Sequence, residues 1–407
     1  MNLKLRSKND WGRLDMTSEW HEVPLRELVG YISKGIAPSY AEEASETTIR
    51  VLNQKCNRNF RISYGDSRLH DTLKKKVPPE RYVKPDDILI NSTGAGTAGR
   101  IAQIEDVPSA TTIDGHMTLI RSNGKVTQKF LGYALKAHQW EVLQLDEGST
   151  GQTELNRDRL LDEIMINYPV SFDEQNAIVG TLESIDRKLI VNEQLNDNLQ
   201  QQAAALFSSL YDRSNTEVRF TDLIQILGGG TPKTGENTYW NGNIAFFTPK
   251  DVGTPYTLIT EKTISKEGLS HCNSRLYPVN TVFVTARGTV GKVGMSGVPM
   301  AMNQSCYALV GKETHQLLVY FYTLKAVDRL KHKASGAVFD AITTRDFESE
   351  QIMKLSHDDA TAFLRVAEPM FQEVLNNNIE NLRLSTLRDS LLPKLMSGEI
   401  DVSAVQL

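Results

Sequence analysis

Several strings in this 407-residue chain carry the residue types of a chemical centre. GAGTAG, from Gly94 to Gly99, has the glycine spacing that cradles a dinucleotide pyrophosphate at a helix N-terminus. It follows an apolar run, DILIN, as that chemistry requires, but RIAQIEDV after it reads as a second strand. A turn between strands is therefore the expectation. GTVGK, ending at Lys292, is too short for a phosphate loop, and no Ser or Thr follows the lysine. His271 beside Cys272 has the types of an activated thiol pair, yet neighbours in an extended segment point to opposite sides. Cys56, Cys272 and Cys306 are odd in number and in no metal-ligand spacing, which reads as reduced thiols in a cytoplasmic protein. HExxH, paired CxxC, GxSxG and Asn-Pro-Pro-Tyr-type strings do not occur. The expectation is a non-catalytic chain with no cofactor and no metal.

What remains is recognition chemistry. Basic and polar residues collect between the apolar runs of the first half: Ser39, then Arg58 and Arg61 around Asn59 and Phe60, then Lys74, Lys75 and Lys76, then Arg100. The second half offers Lys233, Thr234, Asn237, Tyr239, Lys250, Arg275, Arg287 and Lys292. Arg, Asn and Lys on loops suit base edges, and lysine clusters suit phosphates. The net charge of −5 does not exclude nucleic acid, because the acidity is localised. Residues 172–211 hold six acids against two bases, and residues 358–396 six against four. Those segments sum to −6 and leave about +1 for the rest.

Both acidic segments are long helices with a seam. Ile178, Leu182, Ile185, Leu189, Asn192, Asn196, Leu199, Ala203, Leu206 and Leu210 alternate steps of four and three. Phe363, Ala367, Met370, Val374, Asn377, Asn381, Leu384, Arg388, Leu391 and Leu395 repeat the pattern 185 positions later. The asparagines recur in register, Asn192 with Asn377 and Asn196 with Asn381. The chain is a duplicated unit, each copy closing on a coiled-coil helix. Antiparallel pairing gives the pair a pseudo-two-fold geometry and sets Asn192 against Asn381 and Asn196 against Asn377. Pro369 predicts a kink or the true helix start. Beside the second seam, Leu364, Phe371, Leu375, Ile379 and Leu382 form an extra apolar stripe, expected to be covered by a helix of a partner subunit.

The duplication covers the rest of the chain too. EVPLREL from Glu22 matches EVRFTDL from Glu217; SKGIAPS (Ser33–Ser39) matches GGGTPKT (Gly228–Thr234). PDDILINSTGAGTAGR and PVNTVFVTARGTVGK are each a polar turn, a short strand and a Gly-Thr-x-Gly loop ending in a base. Amphipathic helices follow near 127–145 and 314–332, then glycine turns near Gly151 and Gly336. Short β-branched runs broken by Gly, Pro and Asn predict an α+β chain: two similar mixed α/β domains with a mainly β body, 1–171 and 214–357. The helices occupy 172–213 and 358–407.

On these residues the chain resembles the specificity subunit of Type I restriction–modification enzymes. The resemblance rests on NNNIENLRLSTLRDSLLPKLMSGEI (Asn376–Ile400), on GGGTPKT with IAFFTPKDV after it, and on FDEQNAIVGTLESID. It implies two target-recognition domains, each reading half of a bipartite site in double-stranded DNA. It implies helices that space those domains and dock two modification (methyltransferase) subunits, which hold S-adenosylmethionine and methylate adenine N6. Restriction (motor–nuclease) subunits would complete the complex, with no membrane involved. Pro232 and Lys233, and Pro38 and Ser39, would fall in the lead-in loops of the two domains. HDDATAF departs from the FDEQ-type helix start, and Arg287 has no counterpart in the first copy. An autonomous DNA methyltransferase and a scaffold without DNA readout are the competing readings.

Overall fold

The computed structural model describes residues 19–94, 96–147, 154–253, 255–333 and 341–402, so the turns expected near Gly151 and Gly336 lie outside the described residues. The chain divides into two compact units: Met1–Arg187 with Ser385–Leu407, and Lys188–Leu384. Both divisions fall inside long helices rather than between elements.

In the first unit, Trp20–Pro24 pairs antiparallel with Met165–Pro169. An antiparallel sheet runs in the order Val29–Lys34, Met117–Ser122, Ile88–Asn91, Ile101–Gln103. A second sheet orders Thr111–Ile113, Thr48–Leu52, Arg68–Asp71 and Tyr40–Ala41, with the first pair parallel. Leu52, Leu89, Ile113, Met117 and Leu119 make one core cluster. Every residue of Ile88–Asn91 is buried, which is why Ile88, Leu89 and Ile90 read as a continuous apolar run rather than as alternation.

The second unit repeats the plan. Thr216–Arg219 pairs antiparallel with Gln351–Lys354. Ile224–Gly228, Cys306–Gly311, Val282–Thr285 and Val293–Ser296 form the matching sheet, extended by Tyr256–Thr257. Trp240–Phe247 lies between Lys262–Ile264 and, in parallel, Met300–Met302. The helices after the sheets, Gln128–Ala137 and Gln316–Lys333, start on equivalent glutamines. Gln128 accepts from Ser122 N and donates to Ile120 O; Gln316 accepts from Gly311 N and donates to Leu309 O. One amide thus ties each helix to the end of the preceding strand.

The long helices are Phe172–Arg213 and His357–Met396. At 42 residues the first is about 63 Å long. Pro369 is not the helix start, which is one of the two outcomes the sequence predicts. Ser356 caps the helix instead, its Oγ accepting from Asp359 N at 3.1 Å, and the helix continues through the proline. Within the second unit the helices run antiparallel: Asn192 Nδ2 donates to Asn381 Oδ1 at 2.8 Å, and Asn377 Nδ2 to Asn196 Oδ1 at 2.9 Å. Asn196 Nδ2 donates in turn to Asn378 Oδ1 and Asn192 Nδ2 also reaches Glu380, so the seam amides have partners. Within the first unit Arg388 donates to Asp186 at 3.0 Å, the same antiparallel sense.

The seam residues Ile178, Leu182, Ile185 and Leu189 of the first helix are buried, as are Val374, Leu391 and Leu395 of the second, while Leu384 is half-buried. Toward the end of the first helix burial widens beyond the periodic seam: Ala203 and Leu210 stay buried, and Tyr211 beside them is buried too. Leu199 and Leu206 are only partly buried, whereas Phe207 is fully buried and stacks on Phe321 at 5.0 Å.

The apolar stripe on the second helix is a correction. Phe371 and Leu375 are buried in the unit's own core, with Leu364 and Ile379 packed against it. Phe371 meets Tyr320, Phe321 and Tyr256 with ring centroids 5.5–6.5 Å apart. Leu382 is half-buried. The Gln316–Lys333 helix supplies the cover expected from a partner subunit.

Candidate nucleic-acid interface

In the first unit the candidate residues are gathered by buried polar clasps. The Gly94–Arg100 loop leaves the buried strand at Asn91 and closes on itself. Asn91 N donates to Arg100 O at 2.9 Å, and Gly99 N to Asn91 O at 2.8 Å. Gly99 makes the closure with φ +83°, a conformation that a side chain disfavours, and a Cβ there would sit 2.8 Å from Val142 O. The loop joins two strands, as the failed dinucleotide pattern implied. Asn57, at the base of the Arg58–Arg61 turn, donates to Asn91 Oδ1 and to Arg100 O. Arg58, Arg61 and Arg100 therefore stand on one hydrogen-bonded platform.

A second clasp is His70, fully buried. Its Nδ1 accepts from Ser39 N at 2.9 Å, so Nε2 carries the proton and donates to Lys75 O at 2.8 Å. Lys75 Nζ reaches back to Ala37 O at 2.8 Å. Ser39 and the Lys74–Lys76 loop are thereby brought together, with Lys76 exposed. Gly35 is required in this lead-in, because a Cβ would lie 2.1 Å from Asp114 O.

The second unit presents the same closed loop on a different clasp. Thr285 takes the place of Asn91: Thr285 N donates to Lys292 O at 3.0 Å and Gly291 N to Thr285 O at 2.9 Å, with Gly291 at φ +75°. Arg100 and Lys292 thus occupy equivalent positions, each directly after the left-handed glycine. Arg287 lies in the same loop, bridged to Ala341. Thr289 Oγ1 donates to Pro249 O at 3.2 Å and so holds Lys250 beside this loop. Asp251 builds the Lys250 turn, accepting from Thr248 and from Glu261 N.

The other second-unit candidates form a separate group. Gly230 approaches so closely that a Cβ would be 2.7 Å from Asn273 N, which brings Lys233 and Thr234 near the Arg275 segment. Trp240 Nε1 donates to Lys233 O, fixing the loop across the Asn237–Tyr239 turn. Tyr239 stacks on His271 at 4.9 Å. His271 closes the short helix Lys266–Ser270 rather than sitting in an extended segment, and Cys272 Sγ turns to Leu269 O. The two side chains take separate partners.

Several of the cations have weak local partners. Arg58 pairs with Asp66 at 3.4 Å, Lys74 with Asp71 at 3.8 Å and Lys250 with Glu261 at 3.6 Å. All three cations are largely exposed, so these pairs contribute little to stability and can be exchanged for phosphate oxygens.

One cluster lay outside the sequence reading. Lys136 Nζ bonds Asp186 at 3.1 Å, Tyr133 Oη donates to the same carboxylate at 2.8 Å, and Arg388 joins from the second helix. Burial pushes the Asp186 carboxyl up, but Lys136, Arg388 and Tyr133 together hold it below the ordinary carboxylate range. Burial draws Lys136 down, opposed by Asp186 and reinforced by the charge of Arg388. Tyr133 is raised, by burial first and then by Asp186.

Among the described residues no helix is long and apolar enough to cross a membrane, and no group of His, Cys, Asp and Glu is arranged to hold a metal ion.

Comparison with known proteins places this geometry in context. The family model described as Type I restriction modification DNA specificity domain matches twice, at residues 17–201 and 213–354. The Type I restriction enzyme HindI specificity subunit of Haemophilus influenzae is 28% identical over 186 residues, 44% of this chain and 40% of that protein. The MjaIX specificity subunit of Methanocaldococcus jannaschii is 26% identical over 165 residues, 39% of this chain and 38% of that one. The aligned stretches therefore span about two fifths of each relative's length. Among solved structures, the Type I restriction–modification S subunit from M. genitalium shares the fold at a TM-score of 0.60 and 15% identity, covering 94% of this chain and 98% of that one.

Proposed function

From the premise that the chain belongs to the Type I restriction–modification DNA specificity family, we propose that it is the sequence-reading, non-catalytic subunit of such a complex. Residues 1–171 and 214–357 act as recognition domains, each reading one half of a bipartite site in double-stranded DNA. The helices in 172–213 and 358–407 set the spacing and dock two modification subunits. Those subunits hold S-adenosylmethionine and methylate adenine N6, and restriction subunits cut unmodified DNA. The complex works in the cytoplasm.

The observation that carries this reading is the repeated closed loop. Both units place a cation, Arg100 or Lys292, immediately after a left-handed glycine whose amide bonds the last residue of a buried strand. Two similar hydrogen-bonded platforms with exposed cationic tips suit two similar but separately tuned contacts on a duplex. Divergence between the copies falls where base readout would need it: an arginine turn in the first, a Lys233–Tyr239 loop in the second.

Methylome sequencing tests the proposal. A host expressing this chain with its modification subunit is compared with one lacking the chain. New N6-methyladenine at a split motif is the expected result. An assembled complex that adds no split motif would favour the scaffold reading. Binding of S-adenosylmethionine by the chain alone would favour the autonomous methyltransferase.

A further inference from the structure

The Arg58–Arg61 turn has an unusual backbone. Asn59 and Phe60 both have positive φ, 52° and 65°, and a bulky residue stays there only where its surroundings over-determine it. The Phe60 ring supplies that constraint. Lys136 Nζ sits over it, 4.3 Å from the ring centroid, and the Tyr133 ring lies 6.3 Å away. Lys136 cannot wander, because its ammonium is largely buried and bonded to Asp186, which is itself bonded to Arg388. A chain of direct contacts therefore runs from the turn, through Phe60, Lys136 and Asp186, to Arg388 on the second long helix.

We propose that Phe60 is a positioning residue for DNA recognition: its ring, clamped by Lys136, aims Arg58 and Arg61 at the half-site read by the first unit. The inference rests on the DNA-reading function proposed above. It adds that residues remote from the duplex, Lys136 and Asp186, govern recognition at one half-site through this ring. The clamp is electrostatic as well as steric, since an ammonium over an aromatic face is attracted to the ring quadrupole. A tyrosine keeps that face and an alanine removes it. The second unit does not repeat this clamp at the equivalent helix position. The 188-residue step that takes Gln128 to Gln316 takes Lys136 to Leu324, an uncharged side chain.

The experiment uses the assembled complex of this chain with its modification subunits. The probe is a DNA duplex carrying the split motif found in the wild-type methylome, with two further duplexes in which one half or the other is scrambled. Wild type should lose affinity when either half is scrambled. Phe60→Ala should bind the intact duplex on the order of tenfold more weakly. It should also become insensitive to scrambling one half while keeping full sensitivity to the other. Lys136→Met should reproduce this pattern, and Phe60→Tyr should restore wild-type behaviour. Discrimination of both halves by Phe60→Ala and Lys136→Met as in wild type would overturn the proposal. Equal loss at both halves would also overturn it, because that is what general unfolding produces. If the wild-type complex yields no split motif, the DNA-reading function itself fails, and that result is visible before any variant is made.

Discussion

The two units solve one packing problem with opposite chemistry. The 185-residue step that takes Asn192 to Asn377 also takes Asp186 to Phe371, and the 188-residue step between Gln128 and Gln316 takes Tyr133 to Phe321. In the first unit a tyrosine hydroxyl and a lysine bond a helix carboxylate. In the second the equivalent positions are two phenylalanines 5.5 Å apart, within a cluster that includes Phe207, Phe363 and Tyr320. A duplicated backbone therefore tolerates either an ionic or an aromatic joint between its sheet helix and its long helix. The difference has consequences. An ionic joint depends on pH and on having every partner present, whereas an aromatic joint depends on volume.

The largest expected effect is on the aromatic side. Phe207→Ala removes a fully buried ring that contacts four others, and it should cost about 3–5 kcal/mol, read as a lowered denaturation midpoint of the second unit. Phe207→Leu should recover most of that loss.

Next is the ionic joint. Asp186→Ala leaves Lys136 and Arg388 facing each other without their carboxylate, with an expected cost of about 3 kcal/mol, measured by chemical denaturation. Its pH dependence follows from the sign of the shift. The folded-state pKa of Asp186 is depressed, so its stabilisation is present at neutral pH and above the unfolded value near ~4, and is lost as pH falls through the lower folded value. Acid titration should loosen this joint, and Asp186→Ala should remove that contribution. Phe371 does not titrate. If the variant and wild type lose stability over the same acid range with the same slope, the ionic account of the joint is wrong.

A smaller effect is expected at the seam. Asn196→Ala strands the Asn377 and Asn378 amides and should cost about 1–2 kcal/mol. The seam asparagines also specify register, so replacing Asn192, Asn196, Asn377 and Asn381 together with leucine should raise stability while broadening helix alignment, detectable by cysteine cross-linking across the seam. The smallest effect on folding is at the loops. Neutralising Lys74, Lys75 and Lys76 should change stability by under about 0.5 kcal/mol. The salt dependence of DNA binding should nevertheless flatten, by up to about three in slope.

How much of this was legible depended on whether the signal was periodic. The seam asparagines were readable because their spacing repeats 185 residues apart, and the glycine loops because both strings end in a base after Gly-Thr-x-Gly. Phe207 was missed because it lies one residue off the seam, where the long helix packs on the Gln316–Lys333 helix as well as on its partner. The stripe through Phe371 was seen as apolar, but sequence does not say which surface covers it, and a helix of the same unit does. His70, Asn57 and Thr285 carried no signal, since a buried polar clasp is defined by carbonyls distant in sequence. The helix does not start at Pro369 because a proline's cost is local, while the packing of Phe363, Ala367 and Phe371 on both sides of it holds the helix together.

The central claim is that the two units read DNA separately. Replacing residues 22–171 with the matching domain of a relative that reads a different site, then sequencing the methylome, tests it most directly. The account predicts a split motif in which one half is new and the other is unchanged. A motif changed on both sides, with the complex assembled, would contradict it.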